Sequence, residues 1–213
     1  MRLLKEEFTQ AFELFDKGYL VEAEVLYREC LSKISDTNSD EYLQGLHGLG
    51  YVKVALHRFD EARSHYNELI KIALSNEDKV NHCIAIHQLG MVERMAEKFD
   101  EALKLFQSEA DFLEKYKIES ALNWSANFYE RGYVNLKMKN LKKAEQLMEE
   151  SLHYAKKSGD DICIGCAYRG FGEIYQAKGN DVLEKQSFQN AKKAFERASD
   201  NLAIKEIDML LRK

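Results

Sequence analysis

The sequence predicts an all-α fold: a right-handed superhelix, or α-solenoid, of about five antiparallel helix hairpins and a C-terminal capping helix. Three observations predict it. Small residues recur at Gly50, Gly90, Gly132 and Gly172, at spacings of 40, 42 and 40. Two further series, Ala23/Ala62/Ala102/Ala144 and Tyr27/Tyr66/Phe106/Met148/Phe188, keep the same period, and parallel series of this kind mark stacked helical hairpins. Proline is absent from all 213 residues. Average usage would supply about ten, and proline breaks helix interiors.

The elements follow in order, as one domain over residues 1–213. The first hairpin covers about 3–34, with Phe8, Ala11, Phe12 and Phe15 on one helix and Ala23, Leu26, Tyr27 and Cys30 on the next. Apolar residues three and four apart give each helix one buried stripe. Gly18 suits the left-handed conformation that closes a helix. The loop Ser35 to Asp40 offers several capping residues. The second hairpin, about 39–74, and the third, about 78–116, carry Asp60 and Asp100 as expected N-caps. The fourth, about 120–157, has Arg131 where the others have Leu49, Leu89 and Phe171. The fifth, about 161–198, turns at Lys178-Gly179-Asn180 and fills its small-residue slot with Glu184, so looser packing is expected there. Residues 201–212 form the cap that covers the last apolar face.

Composition narrows the function classes. Charged residues make up 31%, which suits long helices with wet outer faces, and the net charge is −5 from 31 basic and 36 acidic residues. That balance argues against direct nucleic-acid binding, which needs a basic surface. The N-terminus lacks a signal peptide's apolar run, and no later stretch is long enough to span a membrane. A cytoplasmic protein is the expectation, with Cys30, Cys83, Cys163 and Cys166 as reduced thiols. Cys163-Ile164-Gly165-Cys166 lacks the second ligand pair of a zinc site. His82 and His87 lack one-turn metalloprotease spacing, and no phosphate loop or nucleophile elbow is present. No cofactor, metal or enzymatic activity is expected.

The pairs Leu49-Gly50, Leu89-Gly90 and Phe171-Gly172, followed by Ala62, Ala102 and Ala144 and by Tyr66, Phe106 and Phe188, resemble the tetratricopeptide repeat (TPR) family. The usual repeat is 34 residues. The longer period and the missing late proline resemble the long-helix variety found in bacterial peptide-pheromone receptors and in scaffold proteins. The resemblance implies a protein- or peptide-binding scaffold whose first helices line a concave face. Counting from the glycines, that face holds Phe8, Phe12, Phe15, His47, Tyr51, Val54, His87, Met91, Arg94, Tyr129, Tyr133, Arg169, Glu173 and Gln176. The expected binding set is His47, Tyr51, His87, Met91, Arg94, Tyr129, Tyr133 and Arg169, since rings, Met and Arg are enriched at recognition surfaces. The competing reading makes some of these rings core between helices. The clamp that holds a chaperone's C-terminal carboxylate in some family members is not expected, because Phe8, Phe12, His47 and Tyr51 stand where it needs Lys and Asn. Two alternatives stand beside the scaffold: a peptide-sensing regulator without its own DNA-binding module, acting through a partner, and a self-associating structural protein forming a homodimer. Arg131 is expected to pair with Glu93 or Glu109, because a guanidinium in an apolar slot needs a partner or water.

Overall fold

The computed structural model describes residues 2–212, with side chains from Leu4 onward. The described residues form eleven α-helices, packed in sequence as hairpins with no strand: α1 (Arg2–Asp16), α2 (Leu20–Ser32), α3 (Asp40–Ala55), α4 (Phe59–Ser75), α5 (Lys79–Met95), α6 (Phe99–Lys115), α7 (Ala121–Lys137), α8 (Leu141–Ser158), α9 (Asp161–Ala177), α10 (Asp181–Ala198) and α11 (Asn201–Leu211). They fall into two compact units, 1–105 and 106–213.

The repeating residues do the packing. Ala23, Ala62, Ala102 and Ala144 are all fully buried, and so are Tyr66, Phe106, Met148 and Phe188. Each small residue lets a second helix approach, and each large one fills the space that remains. A Cβ added at Gly50 would lie 2.6 Å from Cζ of Tyr66 on the partner helix, and one at Gly172 would strike the Phe188 ring. The large residue also reaches the next hairpin. Tyr27 lies against Gly48, and Met148 lies between Gly132 of its own hairpin and Gly170 of the following one.

Helix ends are closed by one device, used almost throughout. Inside the hairpins Gly18, His57, Glu97, Lys139 and Gly179 each take a positive φ, between 58° and 82°. The following amide then bonds back five residues: Tyr19 to the Leu14 carbonyl, Arg58 to Lys53, Lys98 to Glu93, Asn140 to Asn135 and Asn180 to Tyr175, all at 2.8–2.9 Å. This is the Schellman closure. Gly18 and Gly179 behave as the sequence predicts, whereas His57, Glu97 and Lys139 adopt the same turn without glycine's freedom.

Between hairpins, Ser39, Asp78, Ser120, Asp160 and Asp200 cap α3, α5, α7, α9 and α11 through their side chains. Asp60 does not act as an N-cap. It lies one residue inside α4, whose N-cap is Arg58 without a side-chain bond, and its carboxylate meets Arg63 at 2.6 Å. Asp100 likewise lies in the first turn of α6. The helices start two residues earlier than a capping aspartate requires, because the tight turn already satisfies their entry: Ala62 N–H bonds to the Arg58 carbonyl.

A polar link joins successive hairpins at one repeat position. Three residues beyond the repeat glycine, Lys53 Nζ meets Glu24 at 2.6 Å, and Glu93 receives Arg63 Nε at 2.6 Å. The equivalent Tyr175 is hydrogen-bonded to Glu145. Each partner follows the repeat alanine of the preceding hairpin directly, as Glu24 follows Ala23. Lys53 and Glu24 are buried, and Glu61 and Arg58 complete their neutralisation. In the fifth hairpin Glu184 is half-buried and accepts from Gln176 Nε2 at 3.0 Å.

Candidate functional site

In the first unit, α3 and α5 present the predicted residues one turn apart: His47 and Tyr51 on α3, and His87, Met91 and Arg94 on α5. All five are half-buried. The His47 ring stands edge-on to Tyr51 at 4.8 Å and to Tyr66 at 5.6 Å, and Phe15 packs on Tyr51 at 6.4 Å. Burial holds the His47 imidazole below its usual pKa, and its Nε2 is buried without a hydrogen-bond partner among the described residues. Burial raises the Tyr51 phenol, with a hydrogen bond to Gln88 acting the other way. Tyr51 thus serves partly as packing between α1 and α3.

Two concavities in this unit lie toward the N-terminal ends of the first helices, ahead of Tyr51 and Met91. One concavity of about 340 Å³ is lined by Asp40, Leu43, Gln44 and His47 of α3 and by Asn81, Ile84 and Ala85 of α5, with Leu69 beneath. A second, of about 790 Å³, is lined by Lys5, Phe8, Thr9 and Phe12 of α1, by Tyr27, and by Asp40, Glu41 and Gln44. Both volumes lie in the range of ligand sites, roughly 300–1,000 Å³. Asp40 and Gln44 line both, so the two concavities flank the N-terminal half of α3 and together make up a trough. Counting positions from the repeat glycines found His47, Phe8 and Phe12. It missed Gln44 and Ile84, whose signal is their position one turn before the counted residues, and Asn81, one turn further back.

In the second unit, Tyr129 and Tyr133 stack on α7 with ring centres 6.0 Å apart, and Lys137 Nζ lies 4.7 Å from the Tyr133 centroid. Burial pushes the Tyr129 phenol well above its usual pKa. Arg169 reaches Glu173 at 3.2 Å and Glu206 of α11 at 2.6 Å, so it ties the last helix to α9. Trp124, Phe128 and Tyr154 form a separate ring cluster, with centroids 5.6–6.1 Å apart.

Arg131 does not form the expected ion pair. Its Nη2 donates to Gln107 Oε1 at 2.7 Å and its Nη1 to Asn127 Oδ1 at 3.4 Å, while the guanidinium lies near the Phe128 ring. Asn127 in turn donates to Glu109 at 2.9 Å, so the amide stands between the two charges. Glu93, the other expected partner, is held by Arg63. Arg131 is half-buried and reaches a polar side chain at the surface, which removes the need for a carboxylate.

Among the described residues no three His, Cys, Asp or Glu side chains are grouped to hold a metal ion, and the four cysteines are free thiols. No helix among them is long and apolar enough to cross a membrane.

Residues 41–115 match the tetratricopeptide repeat family. No curated protein matches the sequence. Several solved structures share the fold. BtubC (BKLC) from P. vanneervenii is 19% identical with a TM-score of 0.70, over 94% of this chain and 82% of that one. The nearly identical TPR-like repeats of a Podosopora anserina protein named for kinesin light chain are 15% identical at 0.65, over 92% and 96%. A Rap protein complexed with Competence and Sporulation Factor is 12% identical at 0.74, over 99% of this chain but 63% of that one.

Proposed function

We propose that the chain, whose residues 41–115 match the tetratricopeptide repeat family, is a non-catalytic binding scaffold that holds a peptide, or a peptide segment of another protein, on the first-helix faces of its hairpins. The observation that carries this reading is the trough in the first unit. It is concave, largely apolar at its floor, and edged by the side-chain amides of Gln44 and Asn81. The Asn81 Nδ2 donates to Asp78 at 2.6 Å, which leaves its carbonyl oxygen turned to other donors. Amides of this kind pair with the N–H and C=O groups of an extended backbone, and an apolar floor accepts side chains. Tyr51 packs edge-on against His47 of the lining, and Tyr133 belongs to the proposed set in the second unit. His47, His87, Met91, Arg94, Tyr129 and Arg169 complete the proposed set. One fold relative, the Rap protein, was solved with a bound factor.

The test is selection of peptides from a random phage-displayed library, followed by titration against a Gln44→Arg/Ile84→Arg variant. Both side chains are exposed, so the variant keeps the helical fold. Selected peptides should lose at least tenfold in affinity. Peptides that bind wild type and variant equally would move the binding site off this face.

A further inference from the structure

Three glycines crowd α3, at Gly45, Gly48 and Gly50, and the repeat accounts only for Gly50. The other two receive rings from the preceding hairpin. A Cβ at Gly45 would lie 2.6 Å from the Phe8 ring, and one at Gly48 would lie 2.5 Å from Tyr27. Phe8 and Tyr27 therefore sink against the α3 backbone, with ring centres 6.0 Å apart, and form the floor of the larger concavity. Phe12 stands on its wall with 57% of its surface exposed. A large apolar side chain placed there would cover Phe12 and leave water, which is favourable.

The rim has a sign. Asp40 and Glu41 stand on the α3 side, and neither carboxylate is in an ion pair among the described residues. Lys5, on the α1 side, is the single cation lining the trough among the described residues. The two acids lie in the first turn of α3, where the helix dipole favours them. That accounts for their stability but leaves their outer oxygens open to a ligand. Asp40 also lines the smaller concavity, so the acidic edge lies where the apolar hole meets the amide-lined channel.

Resting on the reading of this trough as a peptide site, we propose that its ligand is an extended peptide carrying a basic residue close to a large apolar one. The apolar side chain fills the hole over Phe8 and Phe12. The Arg or Lys meets Asp40 and Glu41, and the backbone runs on between Gln44 and Asn81. Selectivity then comes from charge at one point and shape at the next, because like charge at a rim rejects wrong partners.

The experiment uses fluorescein-labelled nonapeptides of Gly and Ser that carry one Arg and one Phe, one to four residues apart, and a matched set with Glu in place of Arg. Polarisation is read against the whole chain, against Asp40→Asn/Glu41→Gln, and against Phe12→Ala, with circular dichroism confirming that each is folded. At least one Arg/Phe spacing should bind tenfold or more tighter than its Glu counterpart. Its affinity should fall as salt rises, since exposed charges are screened. Asp40→Asn/Glu41→Gln should erase the Arg preference, and Phe12→Ala should weaken binding of that peptide. Peptides that compete for the Gln44/Ile84 face without preferring Arg would overturn this ligand class and leave the peptide-site reading standing. Binding unaffected by any trough variant would overturn both. A doubled mass in solution that Phe12→Arg returns to a single chain would assign the trough to a second copy and overturn the proposal.

Discussion

Gly50 and Gly172 carry a ring where any other residue carries a Cβ. Alanine at either position forces Tyr66 or Phe188 off its rotamer in a packed interior, an overpacking cost of about 1–3 kcal/mol. Urea unfolding of Gly172→Ala should show a midpoint shift of that size; an unchanged midpoint would mean that the ring moves freely. Lys53 poses the opposite case, a charge removed. Its ammonium is buried against Glu24 and Glu61. Lys53→Ala leaves the Glu24 carboxylate buried with Arg58 and, at 3.9 Å, Arg28, so a loss of about 3 kcal/mol is expected, the lower end for a broken buried pair. A Glu24→Gln second substitution should recover part of it, read from a double-mutant cycle. The glycines were legible in the sequence because four of them recur at one period. The ion pair was not. Lys53 and Glu24 sit in different hairpins, and a charge on an amphipathic helix reads as solvent-facing until its neighbour is known.

At the level of the helix, closure rather than capping sets the hairpin. His57, Glu97 and Lys139 hold the left-handed conformation that Gly18 and Gly179 hold without strain. That conformation costs a non-glycine residue roughly 1–2 kcal/mol, while glycine loses about 0.5–1 kcal/mol more chain entropy on folding. Lys139→Gly should therefore stabilise by about 0.5–1 kcal/mol, measured by thermal and urea unfolding; destabilisation would show that the lysine makes a contact that outweighs the strain. Between hairpins the side-chain caps matter. Asp78 accepts from Val80 and Asn81 N–H at 3.1 and 3.0 Å. Asp78→Ala should cost about 1 kcal/mol and speed amide exchange in the first turn of α5, beside the trough. The loops between hairpins were readable because capping residues cluster there. The turns inside hairpins misled, since Asp60 and Asp100 have the composition of a cap but sit two residues too late, in the first turn. The candidate site was legible only as a helix face. Its depth depends on Gly45 and Gly48, which belong to no repeating series, and its rim depends on residues one turn away from those that repeat.

Across the whole chain, solvent exclusion falls on histidine in the first unit. His47, His65 and His82 all lie between residues 2 and 105, and burial is the leading cause that holds each imidazole below its ordinary pKa. For His65, Lys53 and Arg28 act in the same direction, and Glu68 and Glu61 oppose them. The unfolded chain takes up protons near pH 6.5, and the folded chain takes them up lower. Between those values the unfolded state binds more protons, so the stability of this unit is complete above about pH 6.5 and declines as pH falls toward the folded pKa values. The ceiling is about 1.4 kcal/mol per histidine per pH unit. The carboxylates that would add to this, Glu7, Glu61 and Asp78, have pKa values below their ordinary acidic range and so titrate under the window. Urea midpoints measured from pH 7.5 to 5.5 should fall mainly below 6.5, and His47→Gln should flatten the slope. A flat profile would mean that water reaches these rings. Because His47 lines the trough, its protonation in the folded chain, which burial moves below that interval, should weaken peptide binding there by placing a positive charge beside the site proposed for a basic side chain.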